Sequence, residues 1–400
     1  MNIVKKIYCR IFQKCFKIAI PILPYRQPEL INGFENLPAV LEKEKKSRVI
    51  IVTDQFISKI GLLDGLKSVL ESKNIPYFLY DKTTANPTTD NVAEALEIYK
   101  ANNCDSIIGF GGGSSMDCAK GLGVRIARPK KTLDQLGGIL KVWKKLPLLI
   151  AVPTTAGTGS ETTLAAVIRN PVTKQKYAIN DFPLIPRYAV LEPKVTLSLP
   201  ANITSSTGMD ALTHAVEAFI GGSTTKKTRK YALDATKLIF ENLEEAVDNG
   251  SNETARKNML EASFYAGCAF TVSYVGYVHA IAHSLGGYYN TPHGLANAII
   301  LPHILKAYGS KAWKKLAKLA VAAGVAEEPE NIQVAAEKFI AAIEEKNKKF
   351  GIGTSFDEIK EEDIPALSKH ADKEANPLYP VPVLWNAKEL EHFYYELKTK

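Results

Sequence analysis

Histidine and aspartate side chains in the second half of the chain share a spacing that suits metal binding. Asp210 and His214 lie four residues apart, and His279 and His283 repeat that spacing farther along. On a helix, side chains four residues apart face the same way, with Cβ atoms about 5–6 Å apart. His293 follows a threonine and a proline, which indicate a helix cap and a first helical residue, so we expect it in the first turn of another helix.

One carboxylate and several imidazoles form a suitable ligand set for a divalent first-row metal, and iron(II) and zinc both match it. Such an ion with an open position binds an alcohol oxygen and lowers its pKa. A single helical histidine is more often structural, so the prediction of a metal site depends on the combination.

A second candidate site is the glycine-rich stretch GFGGGSSMDCAK, residues 109–120. Its glycines allow close backbone approach, and the positive end of the following helix attracts phosphate, so a pyrophosphate would fit there. Ser114 is placed to cap that helix. The structural alternative stays open, because Ser114 and Asp117 also resemble a capping box and glycines alone are weak evidence.

Two further stretches support nucleotide binding. Asp54 ends the run RVIIVTD, where its carboxylate could accept hydrogen bonds from the adenosine ribose, favouring NAD over NADP; the alternative is an ordinary turn or cap residue. The turn PTTAGTGSE supplies hydroxyl donors at Thr154, Thr155, Thr158 and Ser160. Two such turns on one sheet edge favour a nucleotide site more than either alone.

The elements that must position these residues change type along the chain. Short β-branched runs alternate with helical stretches from about residue 48 to 195, which predicts a mostly parallel, doubly wound sheet. Beyond about residue 200 the three-to-four spacing predicts helices only. We therefore expect an α/β dinucleotide-binding domain over residues 29–198 and an all-α metal-binding domain over residues 199–400, with the site in a cleft between them.

Composition excludes several classes of protein. The formal charge of +8 comes largely from an N-terminal segment, residues 1–28, whose six cations all precede the first acid, Glu29: Lys5, Lys6, Arg10, Lys14, Lys17 and Arg26. No nucleic-acid module appears, so no nucleic-acid partner is expected. Five scattered cysteines without a C-x-x-C pair indicate a reducing compartment, and we expect a cytoplasmic protein.

The N-terminal segment itself alternates apolar and cationic residues as an amphipathic helix does. Its repeated charges exclude a membrane-spanning helix. It could lie on a membrane surface, or against the protein's own surface or a partner subunit; we expect the second arrangement, and so no membrane association.

The motifs in this order resemble the iron-containing, group III alcohol dehydrogenases, over roughly residues 48–400. They are VTD, GGGSxxDxAK, PTTxGTGSE, and Asp-x-x-x-His followed by HxxxHxLGxxxxxPHGxxNxxxLP. The resemblance implies metal ligands at Asp210, His214, His279 and His293, with His283 an unligated active-site histidine. It also implies cofactor contacts at Asp54, Gly112, Gly113, Ser114, Asp117, Thr154, Thr155, Thr158 and Lys176.

The resemblance implies NAD-linked interconversion of a small alcohol and an aldehyde, with Fe²⁺, or alternatively Zn²⁺, as Lewis acid, and with NADP less favoured than NAD. His283 would relay a proton or orient the nicotinamide. A homodimer is expected, as in related enzymes. The alternatives are a zinc-dependent polyol dehydrogenase of the glycerol type with the same fold, or a catalytically silent nucleotide-binding protein.

Overall fold

The computed structural model describes residues 1–327 and 331–399. The chain divides into two compact units, Pro24–Ser198 and Met1–Leu23 with Leu199–Lys400. We call the first the nucleotide unit and the second the helical unit.

The nucleotide unit is built on a six-stranded parallel sheet in the order β1-β9-β6-β4-β2-β3, with β5, β8 and β7 in a separate small sheet. The strands are β1 (Glu29–Asn32), β2 (Val49–Val52), β3 (Tyr77–Tyr80), β4 (Ser106–Gly111), β5 (Gly138–Ile139), β6 (Leu148–Pro153), β7 (Ala165–Arg169), β8 (Lys176–Asn180) and β9 (Tyr188–Leu191). Its helices are α2 (Leu37–Lys43), α3 (Gln55–Lys59), α4 (Asp64–Ser72), α5 (Thr89–Ala101), α6 (Gly113–Ala127) and α7 (Leu133–Leu136), while α1 (Ile3–Ala19) belongs to the helical unit.

The central strands form because their β-branched side chains are buried on both faces, as parallel strands between two helical layers require. Strands β2, β3, β4, β6 and β9 form in the predicted β-branched runs, which are RVIIVTD, PYFLYD, DSIIGFGGG, LPLLIAVPTT and YAVLEP. Strand β1 and the small sheet were not predicted. The edge strand β1 is four residues long and mostly exposed, so it carries little hydrophobic signal.

The strand order reverses between β2 and β4, which are neighbours although β3 lies between them in sequence. In a doubly wound sheet this switch point leaves a crevice at the carboxyl ends of the strands, where ligands bind. Asp54 follows β2, the glycine loop follows β4 and the threonine turn follows β6. The three predicted nucleotide-binding stretches therefore leave three successive strands.

The helical unit contains no named strand among its described residues. Beyond α1, its helices are α8 (Ala201–Ile220), α9 (Lys226–Asp248), α10 (Glu253–Ser273), α11 (Tyr277–Tyr289), α12 (His293–Tyr308), α13 (Ser310–Ala322), α14 (Ile332–Lys349), α15 (Ile364–Ala375) and α16 (Ala387–Leu397). Helix α8 is buried over most of its length and packs against α9, α10 and α12. The predicted fold class, a parallel-sheet unit followed by a helical one, is confirmed. Within residues 1–327 and 331–399, no helix is long and apolar enough to cross a membrane.

Candidate metal and nucleotide sites

Three helices of the helical unit bring four predicted metal ligands together. Helix α8 carries Asp210 and His214 one turn apart, α11 carries His279, and α12 begins at His293. One donor atom from each residue lies within 4.8 Å of the other three. Donors bound to one ion at about 2.0–2.2 Å stand up to roughly 4.4 Å apart, so this spacing is close to that of a metal site. We call Asp210, His214, His279 and His293 the four-residue cluster.

The buried amide of Asn297 shows that these donor atoms converge. Its Nδ2 donates to Oδ1 of Asp210 at 2.7 Å, and it lies 3.2 Å from Nε2 of His279 and 3.1 Å from Nε2 of His293. Three acceptor atoms on three helices thus point to one position. A set of lone pairs directed inward in this way, without a cationic side chain, fits a divalent ion.

A buried carboxylate fixes the orientation of His279. Oε2 of Glu217 lies 2.6 Å from Nδ1 of His279, and the same carboxylate accepts the backbone N–H groups of Gly276 and Val278, both at 2.8 Å. Burial raises the pKa of Glu217 to about 7, while the backbone donors oppose that rise. With Nδ1–H donated to Glu217, the other ring nitrogen, Nε2, keeps its lone pair for the cluster.

The cluster is closed on one side and open on the other. His279 and Asp210 are each 2% exposed, whereas the side chain of His293 is 39% exposed. The ring of His214 is stacked between Phe270, with centroids 4.1 Å apart, and His279, at 4.5 Å. Burial, followed by the neighbouring imidazoles, holds the pKa of His279 well below its usual value, so this ring is neutral and able to bind a metal.

His283 lies beside the cluster but points elsewhere. Its ring is stacked on His293 with centroids 5.1 Å apart, and its Nδ1 lies 2.7 Å from Oε1 of Glu374. That carboxylate also accepts the hydroxyl of Tyr379 at 2.7 Å. The side chain of His283 is 44% exposed. A partly exposed imidazole oriented by a carboxylate is suited to proton transfer.

The start of α12 differs from the prediction in one respect. His293 does lie in the first turn, but the N-cap is Pro292, without a side-chain cap bond. The predicted capping residue, Thr291, instead donates its hydroxyl to Glu358 at 2.7 Å. The threonine–proline pattern therefore marks the helix boundary correctly. The Thr291 hydroxyl does not cap the helix, because it is bonded to the Glu358 carboxylate.

The glycine loop of the nucleotide unit has the backbone that a phosphate site needs. Gly111 has φ +145°, and a Cβ there would meet Oγ of Ser115 at 2.6 Å. Gly112 is the N-cap of α6, which has no side-chain cap. The predicted Ser114 cap is wrong, because the N-cap lies two residues earlier, at Gly112, and Ser114 is already inside the helix. The uncapped N–H groups at this helix start are therefore available to an anion.

The threonine turn lies next to that loop. The backbone N–H of Thr154 donates to the carbonyl of Gly111 at 3.1 Å. A Cβ on Gly113 would lie 3.6 Å from the side chain of Thr158. The buried hydroxyl of Thr155 has no hydrogen-bond partner within the described part of the chain. The structure thus brings the two predicted nucleotide-binding stretches together.

Asp117 and Lys120 join α6 to the threonine turn, so the alternative interpretation of Ser114 and Asp117 as a capping box does not hold. The Asp117 carboxylate accepts Oγ–H of Ser160 at 3.1 Å and the N–H of Val167 at 3.0 Å. Nζ of the buried Lys120 donates to the carbonyl of Ser160 at 2.7 Å and to Oγ1 of Thr163 at 2.7 Å. Burial lowers the pKa of Lys120 to about 8. These contacts fix the turn.

The other two predicted cofactor residues also have defined contacts. Oδ1 of Asp54 accepts the N–H of Ile57 at 3.0 Å, so Asp54 is the N-cap of α3. Lys176 donates to Oδ1 of Asn86 at 2.7 Å, and the N–H of Asn86 donates to Oγ of Ser114 at 3.3 Å. Lys176 is thus linked to the glycine loop through Asn86.

Sequence reasoning overlooked Glu217, Asn297, Glu374 and Tyr379. The first two had a usable signal: Glu217 lies three residues after His214, and Asn297 four after His293, each on the same helix face. The last two had none, because Glu374 is 91 residues from the histidine that it contacts.

Comparisons with known proteins match both units of the chain to one family. A family model described as "Iron-containing alcohol dehydrogenase" matches residues 31–193, and "Fe-containing alcohol dehydrogenase family, C-terminal" matches residues 204–396. The 1,3-propanediol dehydrogenase of Citrobacter freundii is 38% identical, covering 95% of this chain and 98% of that enzyme. The NAD-dependent methanol dehydrogenase of Bacillus methanolicus is 36% identical, covering 81% and 85%. A crystal structure of a 1,3-propanediol oxidoreductase superposes with a TM-score of 0.89 at 35% identity, covering 93% of this chain and 99% of that one.

Proposed function

The chain belongs to the iron-containing alcohol dehydrogenase family and is an oxidoreductase of alcohols and aldehydes, and we propose that it transfers hydride between NAD(H) and a small alcohol or aldehyde at the four-residue cluster. The observation that carries this proposal is the convergence of one carboxylate and three imidazoles within 4.8 Å. The named relatives act on short primary alcohols, which supports a small substrate.

Asp210, His214, His279 and His293 would hold the metal, and iron(II) is the ion that the family descriptions favour, with zinc as the alternative. A divalent ion held there supplies Lewis-acid polarisation of the substrate oxygen. Glu217 keeps His279 in the tautomer whose Nε2 is a ligand, and Phe270 holds the ring of His214 in place.

During alcohol oxidation NAD⁺ would supply the acceptor for the hydride that leaves the carbinol carbon, and the hydroxyl proton must leave as well. His283 accepts that proton in this proposal, because it is the exposed imidazole beside the cluster. Glu374 accepts from Nδ1 of His283 and stabilises the imidazolium that forms. Aldehyde reduction reverses both transfers.

We place the dinucleotide on the nucleotide unit. The start of α6 and the backbone at Gly112 and Gly113 would bind the pyrophosphate, together with Ser114 and the threonine turn. Asp54 would accept the ribose hydroxyls, and its charge would repel the 2′-phosphate of NADP. Asp117 acts through the turn that it holds, and Lys176 lies at the loop edge.

The test is an NADH absorbance assay with short alcohols, aldehydes and glycerol, run after iron or zinc loading and repeated with NADPH. The proposal requires turnover of primary alcohols or aldehydes with NAD(H). Turnover confined to glycerol, or none with either metal, would contradict it. We also propose a cytoplasmic homodimer, which gel filtration with light scattering would check for its oligomeric state.

A further inference from the structure

Helix α1 lies against the helical unit through a side of mixed polarity, on which Cys9 is buried beside Gln13. The guanidinium of Arg10 donates to the carbonyls of Val381 at 2.7 Å and Pro382 at 2.9 Å. Nε2 of Gln13 donates to the carbonyl of Tyr379 at 2.7 Å, and Gln13 is one of only two residues buried on this helix. An ordinary amphipathic helix packs by its apolar face. This helix instead leaves most of its large apolar side chains exposed.

Ion pairs hold the same face at the start of α1. Nζ of Lys5 lies 2.9 Å from Oδ2 of Asp372, and the N-terminal ammonium lies 2.7 Å from Oε2 of Glu389. Together with the carbonyl contacts, these bonds fix which side of α1 faces outward.

The outward side of α1 and the segment after it are apolar. Val4, Ile7, Ile11 and Ile18 follow helical spacing along the centre of that side and are 52–72% exposed. We call these and their apolar neighbours the α1 apolar face: Ile3, Val4, Ile7, Tyr8, Ile11, Phe12, Ile18 and Ile22, from 37% to 84% exposed. Scattered exposed apolar residues are ordinary, whereas a contiguous set of this kind marks an interaction surface.

One cation lies within this face and another lies beside it. Lys14 lies three residues after Ile11 and four before Ile18, and it is exposed, as is Lys17. Neither makes an ion pair with the residues that the structure describes. The first acid of the chain is Glu29. Pairing this face with a second copy of itself would bring unneutralised cations together, so charge complementarity argues for an anionic partner.

We propose that the α1 apolar face attaches the enzyme to the surface of an anionic lipid bilayer. The apolar residues would enter the boundary between headgroups and acyl chains, while Lys14 and Lys17 meet lipid phosphates. Aromatic Tyr8 and Phe12 suit the same interfacial depth. Because no described helix spans a membrane, the attachment is peripheral. The sequence predicts that this helix packs against protein; the exposure of most of its large apolar side chains is the observation that changes this expectation.

The test uses the full-length, metal-loaded protein and sedimenting vesicles, either pure phosphatidylcholine or a mixture with a quarter phosphatidylglycerol. Wild-type protein should sediment with the anionic vesicles and be released by added salt. The I7Q/I11Q double variant should bind about tenfold less, because it lacks two of the exposed apolar side chains that would enter the bilayer. The K14Q/K17Q variant should lose the salt dependence.

Val172→Gln is the matched control, because Val172 is 88% exposed in the nucleotide unit. It should bind vesicles as wild type does, and all variants should keep alcohol turnover, which reports that they are folded. Equal sedimentation of I7Q/I11Q and wild type would overturn the proposal, as would failure of wild type to bind. If wild type ignores vesicles and I7Q/I11Q instead lowers the oligomeric state, the face is a subunit contact and the proposal is wrong. The outcome is independent of the proposed catalytic role.

Discussion

Glu217 and His279 are joined by a 2.6 Å contact between Oε2 and Nδ1, in a position where both side chains are almost fully buried. The carboxylate lies on α8, which also carries Asp210 and His214, and the imidazole lies on α11. One contact therefore links ligands on separate helices and sets the direction of an imidazole lone pair.

Replacing Glu217 with glutamine should weaken metal binding by about 10–100-fold, because the loss of the carboxylate frees the tautomer and orientation of His279. Calorimetric titration of the metal-free protein with Zn²⁺ measures this. Glu337→Gln, a substitution at an exposed position of α14, serves as the control and should leave the affinity unchanged. An unchanged affinity in the Glu217 variant would show that this contact does not organise the site.

Replacing Gly294 with alanine should force the start of α12 away from α8. A Cβ there would lie 2.5 Å from the carbonyl oxygen of Ser206 and 3.4 Å from Cβ of Asp210. We expect destabilisation of about 1–3 kcal/mol together with reduced metal content. Gly287→Ala is a matched control on α11, since a Cβ there meets nothing within 4 Å. Thermal unfolding and metal analysis of both variants check this, and similar behaviour of the two would refute the close-packing argument.

Asp54 has two separable roles that substitutions can distinguish. Asp54→Ser keeps a side chain able to cap α3, whereas Asp54→Ala loses the bond to the N–H of Ile57 and should cost about 0.5–2 kcal/mol. Both variants should lose preference for NADH over NADPH by about tenfold, equivalent to about 1.4 kcal/mol. The kcat/KM ratios for the two coenzymes test this. If Asp54→Ser kept the preference for NADH over NADPH, Asp54 would serve only as the N-cap of α3.

Glu161 gives a prediction for stability against pH. Both its carboxylate oxygens are buried without a hydrogen-bond partner in the described part of the chain, and burial raises its pKa from 4.5 to about 7, opposed by Lys120. Because the folded state holds this proton more tightly, the contribution of Glu161 is most favourable below pH 4.5 and is lost as pH rises through 7. The shift corresponds to about 3 kcal/mol.

Glu161→Gln should remove the loss of stability that accompanies deprotonation of Glu161 as the pH rises. Urea unfolding at pH 5 and pH 8 should show the variant gaining stability relative to wild type at the higher pH. Glu337→Gln should show no such change, because its carboxylate is exposed. A difference between Glu161→Gln and wild type that is the same at both pH values would contradict the raised pKa.

Periodicity in the sequence predicted those parts of the fold whose burial is uniform. The β-branched runs that became β2, β4 and β6 are buried along their whole length, and the four-residue spacing at Asp210 and His214 became one helix face. Strand β1 is mostly exposed, so no pattern marked it.

Hydrogen-bond partners were harder to predict than elements. Ser114 and Thr291 have the composition of helix caps, but the first lies inside α6 and the second bonds to a carboxylate 67 residues away. The packing of α1 was likewise not predicted, because Gln13 donates to carbonyl groups more than 360 residues along the chain. Local patterns cannot specify contacts of this range.

The metal content of His279→Ala tests the central claim most directly. Wild type purified without chelator should contain a stoichiometric amount of iron or zinc and reduce aldehydes with NADH. The variant should lose metal and turnover together, whereas His303→Ala, which removes a histidine paired to Glu396 outside the cluster, should keep both. If His279→Ala retained its full metal content, the assignment of the four-residue cluster as the catalytic metal site would be wrong.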